Sequence, residues 1–153
     1  LGNKKLDALG VRTSNLKLVV MAEPDDQGIK NFKIGLIEAE NIPRNSIVPN
    51  GIESNQAYYD RVDKDLTSNG LRLLNIDEYK AFFEIVRNVE GNDIIDCKSA
   101  SILNISEKYK ENGIPAVNGE EGEVVLNFID FYERAENLTY RPSVWVNYKP
   151  AKK

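Results

Sequence analysis

Apolar and polar residues alternate in two neighbouring stretches near the start of the chain. Residues 15–23, with the sequence NLKLVVMAE, are rich in β-branched side chains, and residues 30–38 alternate from one position to the next. Three apolar residues of the second stretch share one face: Phe32, Ile34 and Leu36. A period of two is typical of β-strands. The turn-forming residues 24–28 between the two stretches therefore predict a β-hairpin.

The clearest helical pattern covers residues 76–90. Its apolar residues recur three or four positions apart and form one stripe: Ile76, Tyr79, Phe82, Phe83, Val86 and Val89. Asn75 precedes the stripe and Glu78 stands three positions after Asn75, which is the spacing of a capping box. Gly91 is placed to end the helix in a left-handed conformation. Because start, face and end agree, we predict one amphipathic helix here.

The second half of the chain has shorter patterns. Residues 93–98 and 143–148 have the composition of strands, and Cys97 is expected to be a small buried apolar residue in the first of them. Residues 107–112 predict a short helix that stops at Gly113.

Residues 123–136 fit either a helix or a strand. A helix places four polar residues on one face: Asn127, Asp130, Glu133 and Arg134. It places four apolar residues on the opposite face: Val125, Phe128, Ile129 and Tyr132. A strand would group Val124, Leu126 and Phe128, but it would also bury Asp130, so the helix is the favoured interpretation.

Residues 40–57 form the longest stretch without a clear period. They contain Pro43 and Pro49 among many asparagines and serines. Proline cannot donate to a sheet ladder, so this composition predicts a long loop with a short edge strand at residues 46–48.

The order of the predicted elements indicates the fold class. Strands come first, helices follow and a strand closes the chain. This order predicts an α+β fold with a mainly antiparallel sheet and two helices packed on it. We expect residues 1–153 to form a single domain, in which residues 1–14 and 149–153 are flexible arms.

The composition excludes several kinds of active site. The 153 residues include no histidine and one cysteine, and the net charge is −4. Histidine is the usual general base near neutral pH and a common metal ligand, so Ser-His-Asp and Cys-His hydrolases and histidine-based zinc sites are excluded. The chain also contains no phosphate-binding glycine loop and no nucleophile elbow. We therefore expect a protein that is not an enzyme.

The segment DKDLTSNGLRLLNIDEYKAFF, residues 63–83, resembles a calcium-binding loop that runs into a helix. Each register of an EF-hand loop breaks at least one required ligand or the required glycine, so a solvated turn is the favoured interpretation. The alternative is an irregular calcium site formed by four oxygen-bearing residues: Asp63, Asp65, Thr67 and Asn69. Calcium is the one cofactor that the sequence suggests.

Basic and aromatic residues mingle near the end of the chain, at Arg141, Trp145, Tyr148 and Lys149. Proteins that bind single-stranded nucleic acid combine a positive groove with aromatic side chains that stack on bases. The acidic net charge opposes phosphate binding. The favoured interpretation is therefore a half-buried edge strand that the lysines keep soluble.

Tyr58 and Tyr59 suggest an interaction surface, because tyrosine is enriched where proteins meet. The leading hypothesis is a non-catalytic binding or structural assembly module, a subunit or domain of a larger assembly, that recognises other protein subunits or itself through residues 40–70. The alternatives are a single-stranded nucleic-acid-binding protein and a calcium-dependent binding module. No run of 18 apolar residues and no apolar signal core occur, so the sequence predicts no membrane span and assigns no compartment.

Overall fold

A computed structural model describes seven parts of the chain: residues 16–24, 27–28, 30–44, 53–90, 99–105, 111–120 and 123–148. Among these residues are two helices, α1 (Asn55–Thr67) and α2 (Ile76–Glu90). The strands of the same residues are β1 (Leu16–Pro24), β2 (Lys30–Glu38), β3 (Ile42–Pro43), β4 (Ala100–Ile102), β5 (Ile114–Glu120), β6 (Glu123–Ile129), β7 (Leu138–Tyr140) and β8 (Ser143–Tyr148).

The strands form two sheets. The small sheet has the order β1-β2-β8, and the large sheet has the order β3-β7-β4-β5-β6. Every pairing between the described strands is antiparallel except that of β4 with β7. The α+β class and the mainly antiparallel pairing are confirmed, while the expectation of one sheet is corrected to two.

The predicted hairpin is confirmed as β1 and β2. These strands pair from Leu16 opposite Glu38 to Pro24 opposite Lys30. Gly28, in the connection, has φ of 78°, a left-handed conformation that glycine adopts without steric cost. The predicted strand 143–148 is also confirmed, and it lies on the other side of β2 with Trp145 opposite Gly35.

Helix α1 occupies residues that the sequence pattern assigned to a loop and a solvated turn. Ser54 caps its first turn, because the Ser54 hydroxyl accepts a hydrogen bond of 3.2 Å from the Ala57 amide. Four residues form its buried apolar side: Tyr58, Tyr59, Val62 and Leu66. They share a hydrophobic cluster with residues of the large sheet, such as Ile114 and Leu138. The loop prediction is therefore wrong from residue 55, and the turn prediction is wrong up to residue 67.

Helix α2 has the predicted capping box. The Asn75 side chain accepts a hydrogen bond of 2.8 Å from the Glu78 amide, and the Glu78 carboxylate accepts one of 2.9 Å from the Asn75 amide. The buried side of α2 carries four apolar residues: Tyr79, Phe82, Phe83 and Val86. They belong to a second hydrophobic cluster, which also contains Val19 and Ile37 of the small sheet and Val117 of the large sheet.

Residues 123–129 form strand β6, and the helix prediction for residues 123–136 is wrong. The strand pairs with β5 from Ile114 opposite Ile129 to Glu120 opposite Glu123. Asp130 lies just beyond the strand and is exposed, so pairing does not require its burial. The apolar residues of so short a segment offer both periods, with residues 125, 128, 129 and 132 at helical spacing and residues 124, 126 and 128 alternating as in a strand, and the ladder with β5 decides between them.

Several predictions fall on residues outside the described parts. They concern the arms 1–14 and 149–153, the edge strand 46–48, the strand 93–98 with Cys97, the helix end at Gly91 and most of the short helix 107–112. Strand β3 is an end strand of the large sheet among the described residues, and proline is tolerated in an end strand. Neither described helix is long and apolar enough to cross a membrane.

Candidate functional site

The outer side of the small sheet is the candidate site. Because partners across a ladder point to the same side, the register places its apolar residues in rows. One row is Leu18, Leu36 and Val144, and the next row is Val20, Ile34 and Val146. Ala22 and Phe32 begin a third row. We call these eight residues the open face.

The open face leaves large apolar side chains in solvent. Val146, Leu18 and Val20 are 63%, 58% and 57% exposed, and Ile34 and Leu36 are 38% and 36% exposed. Single exposed apolar residues are common on protein surfaces, but a contiguous apolar patch marks an interaction site. The open face is contiguous across three strands.

The opposite side of the same sheet meets α2 through both apolar and charged residues. Val19 and Ile37 are buried there, and so is Lys33. Strand β2 therefore turns its alternating apolar residues outward and a lysine inward. The inward lysine is held by a carboxylate, because its ammonium lies 2.8 Å from the Glu78 side chain.

Glu78 is the centre of a buried ionic network. Its carboxylate is fully buried and accepts two hydrogen bonds of 2.7 Å from Arg72, besides that from Lys33. Burial acts to raise the pKa of Glu78, but the hydrogen bonds from Arg72, Lys33 and the Asn75 amide outweigh it and lower the pKa below its ordinary value. Glu78 therefore stays ionised and joins α2 to the small sheet.

Trp145 lies against the same network. The Lys33 ammonium and the Arg72 guanidinium lie 5.0 and 5.2 Å from the centre of its ring, within the range of cation–π attraction. The indole nitrogen donates a hydrogen bond of 2.9 Å to the Ser143 hydroxyl. Both cations near the ring are thus paired with Glu78, and the ring is partly buried.

Gly35 makes room for the Trp145 ring, and Gly35→Ala tests this close approach. A Cβ atom at position 35 would lie 2.6 Å from the ring, so we expect a loss of about 1 to 3 kcal/mol in the free energy of unfolding. The single tryptophan should also change its emission spectrum. Gly28→Ala is the control, because nothing lies within 4 Å of a Cβ there. Unchanged emission in Gly35→Ala would contradict the packing.

Among the residues proposed for nucleic-acid binding, the described side chains of Arg141 and Trp145 are buried or partly buried. Arg141 is buried, donates to the carbonyls of Glu38 and Ala39 at 2.9 and 2.6 Å, and lies over the Phe82 ring. Tyr148 is opposite Phe32 in the ladder, and Lys149 lies outside the described residues. Nucleic-acid binding stays a prediction that this arrangement does not support.

Tyr58 and Tyr59 are core residues and are not part of a surface. Tyr58 is fully buried under the guanidinium of Arg44, 4.7 Å from its ring centre, and burial raises the pKa of its hydroxyl. The Tyr59 hydroxyl accepts a hydrogen bond of 2.9 Å from the Ile105 amide. Binding through either residue stays a prediction that their burial does not support.

The four residues of the calcium hypothesis lie at the end of α1. The Thr67 hydroxyl donates to the Asp63 carbonyl and the Asn69 amide group donates to the Asp65 carbonyl, both at 2.8 Å. Asp63 and Asp65 are two positions apart in a helix, so their side chains do not face each other. Within the described residues, no group of three or more acidic or cysteine side chains could hold a metal ion. The calcium site stays a prediction without geometric support.

Comparisons of the chain with protein-family models, with curated proteins and with solved structures found no match.

The sequence pattern did not predict the open face. A signal for it exists in β1, where residues 18–22 are apolar without interruption. Such a run is typical of a strand that is covered on both sides.

Proposed function

We propose that this protein is a non-catalytic binding module that docks another protein subunit, a second copy of this chain, on its open face. The observation that carries the proposal is the apolar outer side of the small sheet, where Leu18, Val20 and Val146 are each more than half exposed. Burial of apolar surface is the main favourable term in protein association, and these side chains offer it without rearrangement of the sheet.

The pattern of β1 and β2 supports a partner on this side. A strand that faces water on one side normally carries polar residues there, yet Leu18, Val20 and Ala22 on the outward side of β1 are all apolar and exposed. In β2, the alternating apolar residues point outward while Lys33 points to the core. Exposed apolar surface of this kind lowers the solubility of a protein, and a docked subunit would cover that surface.

The chemistry of the open face favours protein over nucleic acid. Its eight residues include no lysine and no arginine. Nucleic-acid binding depends on cations that neutralise phosphates, so the face lacks the main source of that affinity.

The open face is small. It spans three strands that lie about 4.8 Å apart and five residues along each strand at about 3.3 Å per residue, so it measures only roughly 14 by 16 Å. A stable interface buries about 800 Å² per partner, so the partner must also contact residues around the face.

Val20→Glu tests the proposal. The purified protein offers one possible partner, a second copy, so we expect its mass from light scattering to rise above that of one chain between about 1 µM and about 1 mM. A carboxylate in the centre of the face should remove this association, because burying an unpaired charge is costly. Gln56→Glu adds the same charge at an exposed position of α1 and should associate like the wild type.

Two results would contradict the proposal. One is a wild-type protein that stays monomeric over the whole concentration range. The other is an association that Val20→Glu and Gln56→Glu leave equally strong, because the interface would then lie elsewhere.

A further inference from the structure

The chain contains a chemically labile pair of residues, asparagine followed by glycine, at four places. The asparagines are Asn50, Asn69, Asn112 and Asn118. At such a pair, the backbone nitrogen of the glycine can reach the side-chain carbonyl carbon of the asparagine, because glycine has no Cβ atom to hinder the approach. Asn50 lies outside the described residues, and the structure distinguishes the other three.

The reaction at these pairs needs only water. The glycine nitrogen forms a bond to the side-chain carbonyl carbon of the asparagine, and its proton goes to the side-chain NH₂ group, which leaves as ammonia. This step closes a succinimide ring. Water then opens the ring at either carbonyl and gives aspartate or isoaspartate. One amide and one water therefore become one carboxylic acid and one ammonia, without an oxidant, a reductant or a cofactor.

Hydrogen bonds oppose this reaction at Asn69. Its side-chain nitrogen donates to the Asp65 carbonyl at 2.8 Å, and its backbone amide donates to the Leu66 carbonyl at 3.0 Å. The attacking nitrogen is engaged too, because the Gly70 amide donates to the Thr67 carbonyl at 3.2 Å. Ring closure at this pair must therefore break bonds to both reacting groups.

Asn118 is also held, in this case inside strand β5. Its side-chain nitrogen donates to the Ser99 carbonyl at 2.8 Å, and its side-chain oxygen accepts a hydrogen bond of 3.2 Å from the Asn127 side chain. Gly119 follows it in the ladder, opposite Val124. The two side-chain bonds and the ladder together oppose the approach of the Gly119 nitrogen to the side-chain carbon.

Asn112 lies in the turn before β5, where its side chain is exposed and has no hydrogen-bond partner among the described residues. The fold fixes the glycine that follows it. Gly113 has φ of 118°, and a Cβ atom there would lie 2.6 Å from the carbonyl oxygen of Ile129. Position 113 thus requires glycine, so the labile pair is a consequence of how the start of β5 lies against the end of β6.

We propose that Asn112 is a site of spontaneous and irreversible modification. In the folded protein it loses its side-chain amide and becomes aspartate or isoaspartate faster than Asn69 or Asn118 does. The site lies at the large sheet, whereas the open face belongs to the small sheet, and the proposal does not depend on the function assigned to that face.

The two products differ in their effect on the fold. Both add a negative charge to the turn, but isoaspartate also adds a methylene group to the backbone directly before Gly113. This insertion displaces the glycine and weakens the start of β5, where Ile114 pairs opposite Ile129. We expect the isoaspartate form to melt at a lower temperature than Asn112→Asp, which has the same charge and an ordinary backbone. Equal melting temperatures would contradict this effect.

Mass spectrometry of the full chain tests the proposal. The protein is kept folded in a mildly alkaline buffer, sampled over time and cleaved with trypsin, and fragment masses give the fraction of each asparagine that has lost its amide. A sample taken at the start corrects for losses during digestion. We expect Asn112 to react about tenfold faster than Asn69 or Asn118, because its side chain has no hydrogen bond to break.

The unfolded chain is the matched control. In urea the three pairs lack the hydrogen bonds of the fold, so their rates should become similar. Asn112→Gln should remove the fast reaction of the folded protein, because glutamine must close a larger ring. Equal rates of the three asparagines in the folded protein, or a preference for Asn112 that persists unchanged in urea, would overturn the proposal.

Discussion

Replacing Glu78 with alanine will lower the free energy of unfolding by about 3 to 5 kcal/mol, measured by urea denaturation at pH 7. The carboxylate is fully buried and holds both Lys33, at 2.8 Å, and Arg72, at 2.7 Å. Removing it leaves the ammonium of Lys33 inside the protein without this counter-charge. The variant also loses the hydrogen bond that Glu78 accepts from the Asn75 amide, so α2 loses one of its two capping hydrogen bonds together with its ionic link to Lys33 of the small sheet.

The same network predicts how stability depends on pH. Burial opposes the ionisation of Glu78, but its hydrogen-bonded cations lower its pKa below the ordinary value of 4.5. Because the pKa of Glu78 is lower in the folded state, its ionised carboxylate stabilises the folded protein fully above about pH 4.5. This stabilisation is lost as the pH falls through the folded-state pKa. Glu78→Gln should therefore have a weaker loss of stability in acid than the wild type.

Asp77→Ala is the matched control for Glu78→Ala. Asp77 is the neighbouring acid in the first turn of α2, but it is exposed, so its loss should cost about 1 kcal/mol or less. Equal effects of the two substitutions would show that the charge near the helix start matters and that the buried network does not.

The elements that the sequence pattern predicted correctly are those with strong local signals. The β1–β2 hairpin has an apolar stretch before its turn and an alternating stretch after it, and α2 has a capping box and an apolar stripe. In each case, the residues that decide the structure lie within a few positions of one another, so a single sequence contains the information.

The sequence pattern does not predict helix α1, although the apolar stripe of this helix has helical spacing. Tyr58, Val62 and Leu66 recur every four residues, which is a helical signal. The surrounding aspartates, asparagines and serines favour turns, and the same segment resembles a calcium-binding loop. The buried stripe outweighs these local preferences because tertiary packing supplies most of the stability of a helix in a protein.

Strand β6 and the open face depend on distant parts of the chain. The pairing of β6 with β5 decides its conformation, and the pattern of its own residues does not. The inward position of Lys33 depends on Glu78, 45 residues later in the chain. No local pattern contains that pair, so the sequence cannot indicate which side of β2 is open.

Asn55→Ala will also destabilise the protein strongly, by about 3 kcal/mol. The Asn55 side chain is fully buried and joins three segments of the chain. Its oxygen accepts hydrogen bonds from the Arg44 guanidinium at 2.8 Å and from the Ala135 amide at 2.9 Å, and its nitrogen donates to the Asp130 carbonyl at 2.8 Å. Alanine can make none of these bonds and leaves their buried partners without them.

Two measurements separate this network from a general effect of changing α1. Urea denaturation of Gln56→Ala, at the next and exposed position, should give a change within about 0.5 kcal/mol. Hydrogen exchange of the Ala135 amide should be faster in Asn55→Ala than in Gln56→Ala, because that amide loses its acceptor. Unchanged protection of Ala135 would contradict the role of Asn55.

Arg44 makes the loss at Asn55 larger than that of an ordinary hydrogen bond. Its side chain is buried, and burial together with the nearby Arg134 lowers the pKa of its guanidinium, although Glu53 opposes this effect. A buried cation depends on every acceptor around it, and Asn55 supplies one while the Ala135 and Ser54 carbonyls supply others at 3.0 Å. Asn55 therefore positions both the start of α1 and the segment that follows β6, so its loss should loosen the large sheet at the end where β6 stops.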